Sequence, residues 1–121
     1  MYTVIGIESL AVNALIELSE DKRNGVKISY SQLVDYGLSV VEQYRQESHE
    51  EAMLVFDLND LQSLAADYSY FFGIQDTGED KFLYLKPNIK SLELKKQFLR
   101  KLSCPMIKAL SKVKVTNVMA G

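Results

Sequence analysis

Tryptophan is missing from this chain, and cysteine and histidine occur once each. A lone Cys104 excludes an intrachain disulfide, and one cysteine with one histidine, His49, cannot make up a Cys/His zinc set. That poverty fits a reducing, intracellular setting. The absence of Trp removes the usual anchor of a membrane-surface helix. Long apolar runs are also missing: "MYTVIGIESLAVNALIELSE" is interrupted by Glu8, Asn13 and Glu17 and has no basic leader, so it reads as neither membrane span nor signal peptide. The expectation is a cytoplasmic protein with no membrane contact.

Catalytic fingerprints are scarce. His49 precedes Glu50, but the HExxH zinc motif needs a second histidine. No GxGxxG, GxxxxGK or GxSxG sequence occurs. Cys104 has no histidine dedicated to it and reads as a buried structural thiol, the commonest setting of a free cysteine. The acidic "DTGED" stretch, Asp76 to Asp80, lacks the calcium-loop pattern and reads as a solvated hairpin tip. No enzyme activity, catalytic residue, cofactor or metal is therefore expected.

What is present is an ordinary globular composition, 47% hydrophobic and 25% charged, which sets disordered and fibrous classes aside. Length favours one domain over 1–121. The net charge of −2 conceals an asymmetry: residues 1–80 hold four basic and fifteen acidic residues, a net −11, whereas residues 81–121 hold ten basic residues and only Glu93, a net +9. Such a split points to nucleic acid, a membrane surface or an acidic partner, unless the two halves face each other.

Along the chain, Val4 to Ser19 reads as a helix with Thr3 as a possible cap. Val4, Ile7, Leu10, Ala11, Ala14, Leu15 and Leu18 share its core side, and Ile5, Val12 and Ile16 form a second stripe opposite. A helix apolar on two sides is either central or partly covered by another chain. Asp21 to Gly25 ends it, with Asn24 or Gly25 suited to a left-handed cap. Ser29-x-x-Gln32 is a capping box that starts a helix at Tyr30 continuing through Tyr44, in which Gly37 marks a close approach. A helix-turn-helix about Gly37–Ser39 is disfavoured, because Val40, Val41 and Tyr44 continue the stripe of Leu33 and Gly37.

"AMLVF", residues 52–56, is balanced between strand and helix. Asp57 or Asn59 caps a helix from Leu58 to Phe72, which leaves Tyr70 on its wet side. Residues 74–86 form a β-hairpin stopped by Pro87. A helix from Leu92 breaks near Ser103, because Pro105 lacks an N–H, and Ser91 and Ser103 are its caps. "KVKVTNV" alternates like an edge strand. Lys95 falls inside an apolar stripe, so its ammonium should reach a carboxylate of residues 1–80. The architecture is α+β, predominantly α: a helical bundle of four to five helices with a small hairpin near 74–86.

The favoured function is a protein-interaction or regulatory module with a second copy of itself as partner, so a homodimer, using Ile5, Val12, Ile16, Tyr70, Lys96, Arg100, Lys101 and Lys108. The alternative is a nucleic-acid-binding transcriptional regulator that uses the basic stretch 90–114. It is disfavoured because acids outnumber bases in the whole chain and the nearby aromatics, Phe82, Tyr84 and Phe98, are core candidates.

Overall fold

The computed structural model describes residues 2–20 and 26–115. Helix α1 (Ile7–Glu20) lies at the centre, with Leu10, Ala11, Val12, Ala14, Leu15 and Ile16 all buried. It touches α2 (Tyr30–Ser48), α3 (Leu58–Asp67) and the 91–99 segment, which accounts for its two apolar sides within one chain. The helix begins later than its periodicity implies. Residues Tyr2–Ile5 form strand β1, since the β-branched run Thr3-Val4-Ile5 suits an extended backbone and Gly6 interrupts it.

Strand β2 (Lys27–Ser29) leads directly into α2. The capping box is formed: the Ser29 hydroxyl accepts from Gln32 N–H at 3.1 Å, and Gln32 Oε1 accepts from Ser29 N–H at 2.9 Å. α2 is continuous through Gly37–Ser39, so no helix-turn-helix exists there. It runs to Ser48 and stops at His49, whose left-handed backbone (φ 59°) lets its N–H reach Arg45 O. Gly37 does mark a close approach, of Leu54 and Leu10 side chains: a Cβ there would lie 2.8 Å from a Leu54 methyl.

Residues Glu51–Leu54 resolve to strand β3, parallel to β1. Asp57 and Asp60 cap α3 reciprocally. α3 ends at Asp67 rather than at Phe72, because Phe72 is wholly buried in strand β4 (Phe72–Asp76), paired with Leu85 of β5 (Lys81–Leu85). Tyr68, Phe71, Phe72 and Phe98 pack as an aromatic cluster with centroids 4.8 to 5.9 Å apart. Gly73 is a strand residue under the Tyr84 ring, not a turn glycine; Gly78 (φ +88°) is the turn glycine of the hairpin. β2 adds to the other edge of β5, giving an antiparallel sheet in the order β2-β5-β4.

The C-terminal part comprises α4 (Ser91–Leu94), a π-helical turn (Lys95–Leu99) and α5 (Cys104–Lys112). Ser91 is the first residue of α4, and Lys90 holds the cap position without a side-chain bond. Ser103 caps α5 as its position implies, accepting from Met106 N–H, with Pro105 in the first turn. Leu94, Phe98 and Met106 are buried, whereas Leu92 is exposed. Cys104 is exposed, because α5 turns Met106, Ala109 and Leu110 inward and leaves its first residue outside. Of "KVKVTNV", Lys112 ends α5 and residues 113–115 form no strand; residues 116–118 and the cap at Asp21–Gly25 lie outside the described residues. The fold is α+β and predominantly α. No helix of the described residues is long and apolar enough to cross a membrane.

Candidate functional site

Two-stranded sheets are marginal alone, and parallel strands are normally covered on both faces. The β1–β3 pair departs from both habits. Its register sets Val4 opposite Met53 and Ile5 opposite Leu54, and Val55 N–H donates to Ile5 O at 3.1 Å. In a parallel ladder alternate residues turn both peptide groups to one neighbour. Thr3 and Ile5 therefore bond β3, while Val4 presents its N–H and C=O at the outer edge. On the far side of β3, the Arg45 guanidinium donates to Ala52 O at 3.2 Å and pairs with Glu42 and Glu51, so that edge is partly closed by a charged side chain. Among the described residues no hydrogen bond covers the peptide groups of Val4.

Beside this free edge lies a groove of about 200 Å³. β1 and Gly6 form one wall, Tyr44 and Met106 line its depth, and Lys101, Leu102 and Ser103 form the opposite wall. The Thr3 and Tyr44 hydroxyls lie 3.3 Å apart, which ties β1 to α2. Lys101 is the one charged side chain lining the groove among the described residues. The outward sheet face carries exposed apolar residues, Val4 at 57% with Met53 and Val55, and is bounded at the start of β3 by the exposed Glu51, which pairs with Arg45.

The residues singled out from sequence divide sharply. Ile5, Val12 and Ile16 are core residues, at most 3% exposed, so they offer nothing to a second chain; the second stripe is filled by the molecule's own elements. Tyr70 is exposed in the turn between α3 and β4, with its ring edge-on to Phe71 at 5.0 Å. It is not part of the groove. Lys96, Arg100, Lys101 and Lys108 are exposed and form no ion pair among the described residues. Of these only Lys101 lines the groove. Val4, expected on the core side of the first helix, is instead an exposed strand residue, and Met53 and Val55 escaped sequence reasoning, because a parallel partner some fifty positions away leaves no local trace; the β-branched Thr3-Val4-Ile5 run was the available clue.

Other basic residues do meet the acidic half. Lys95 Nζ lies 3.3 Å from Glu20, as its place in an apolar stripe implies, and Lys114 lies 4.0 Å from Glu17. Lys112 bonds Glu47, and that bond holds the Glu47 carboxyl below its ordinary range despite partial desolvation. Burial pushes the Tyr36 hydroxyl up to about 12, although Asn13 donates to it at 2.6 Å. The nearby Glu8 charge raises Tyr68. A second cavity, about 140 Å³ between α1 and α5, is lined by these paired groups: Glu17, Glu20, Lys95 and Lys114. At the hairpin tip Asp76 accepts from Gly78 N–H and Asp80 from Ser31, so both carboxylates serve the turn. Among the described residues no three His, Cys, Asp or Glu side chains cluster as a metal site would need. Comparison with protein-family models, with curated proteins and with solved structures finds no match.

Proposed function

We propose that this chain is a protein-interaction module whose contact surface is the open edge of β1 with the adjoining groove and the exposed Val4, Met53 and Val55. The carrying observation is the outward pair of peptide groups on Val4, whereas at the β3 edge Arg45 bonds Ala52 O and brings charge. Bare strand edges are ready templates for another chain, and folded proteins usually cover or charge them. Exposed apolar residues on the same small sheet strengthen the reading.

A nucleic-acid reading retains one supporting observation, the four exposed basic residues without ion pairs among the described residues. Its stacking platforms are occupied: Phe98 is buried in the aromatic cluster, Tyr84 covers Gly73, and Lys27 lies over the Phe82 ring. The test combines solution mass over a concentration series with titration of short duplex and single-stranded nucleic acid at two salt concentrations. Association that Val4→Lys or Met53→Lys weakens supports the module. Submicromolar nucleic-acid binding that falls steeply with salt, and is lost when Lys96, Arg100, Lys101 and Lys108 become Gln, overturns it.

A further inference from the structure

We infer that the free edge of β1 receives an extended, acidic segment of another protein as an added strand, with one side chain entering the groove and one carboxylate meeting Lys101. The inference rests on the interaction-module reading and narrows it to one occupant. Strand addition takes its affinity from main-chain hydrogen bonds and its selectivity from pockets that receive alternate side chains. Both requirements are met here. Val4 offers an outward donor and acceptor, and the neighbouring groove of about 200 Å³ has room for one or two side chains between Tyr44 and Met106.

Charge selects the occupant. Lys101 stands on the wall opposite β1 without an ion pair, and no acidic residue lines the groove among the described residues. The preceding residue in the chain, Arg100, is also exposed and unpaired among them. An alternating acidic and apolar strand therefore places carboxylates toward Lys101 while its apolar side chains extend the Val4–Met53 face. A second copy pairing β1 with β1 across a two-fold axis is disfavoured, because an isologous interface brings both Lys101 side chains to the same seam.

The probe is an acetylated, amidated octapeptide alternating valine and glutamate, compared with a valine/lysine version and with one N-methylated at alternate peptide bonds. Fluorescence anisotropy with the full chain should show saturable binding of the acidic peptide only. Lys101→Glu should weaken it about tenfold and transfer preference to the lysine peptide. Val4→Pro removes the outward N–H together with the valine side chain, a change that edge strands tolerate, and should weaken binding more than the side-chain control Val4→Ala while circular dichroism stays unchanged. If that variant unfolds, the N-methylated peptide carries the same test. The inference is overturned if the acidic peptide does not bind, if N-methylation has no effect, or if Lys96→Gln costs as much as Lys101→Glu. Should the peptide fail while the wild-type chain forms a dimer that Met53→Lys dissociates, the occupant is a second copy and the module reading survives. A monomer that binds neither defeats both.

Discussion

The two sheets of this molecule solve the same problem unequally. In the antiparallel sheet, Ile28, Leu83 and Phe72, one from each strand, are essentially inaccessible, and the hairpin at Gly78 sets the register of β4 against β5. In the parallel pair the inward residues Ile5 and Ala52 are buried and Leu54 partly so, and the peptide groups of Val4 have no partner among the described residues. The contrast shows what each contributes: the first is anchored in the core, whereas the second uses one face for stability and leaves backbone and apolar surface available.

The comparison breaks most readily at Leu83. Leu83→Ala should cost ~2–5 kcal/mol in chemical denaturation, because it empties a fully buried site between Ile28 and Ile74. Next comes a pair of glycines. A Cβ on Gly73 would fall 2.4 Å from the Tyr84 ring, so Gly73→Ala should cost about 1–3 kcal/mol, whereas Gly6→Ala beside the open edge meets nothing within 4 Å and should cost less. Removing the cap where β2 meets α2 is smaller again, with about 1 kcal/mol expected for Ser29→Ala. Met53→Ala, on the exposed parallel face, should stay within about 0.5 kcal/mol in the same measurement.

The remaining effects are electrostatic and appear only toward the ends of the pH range. Glu47 is held below its ordinary pKa by Lys112, so its contribution is present above the usual glutamate range and fades as pH falls through the depressed folded value. Lys112→Gln should flatten that acid limb of the stability curve. Tyr36 acts at the other end: it stays protonated in the folded chain after the unfolded one ionises, so stability should fall as pH rises from about 10 toward 12.

Local rules recovered much of the fold. The box at Ser29 and Gln32, the cap at Asp57, the break marked by Ser103 and Pro105, and the turn at Gly78 each depend on residues within a few positions of one another. Lys95 was readable too, since a cation in an apolar stripe requires an anion nearby, and Glu20 supplies it. The candidate site was much less visible: of the candidate residues only Ile5 and Lys101 line the groove, Lys101 noticed through charge and Ile5 for a helical stripe it does not belong to.

What the sequence determined alone, then, was the helical majority, the hairpin and the uneven charge, because periodicity, caps and turn residues act over short distances. Tertiary structure decided the rest. Helical spacing at Val4 and Ile5 yielded to strand pairing once residues 51–54 were placed alongside, and β2 gained its role only against β5. The stripe of Val12 and Ile16, ambiguous between core and interface, became core when α2, α3 and the 91–99 segment enclosed α1. A strand's partner and a helix's second face depend on residues far along the chain, whose approach is set by the free energy of burying the whole core and not by any local preference.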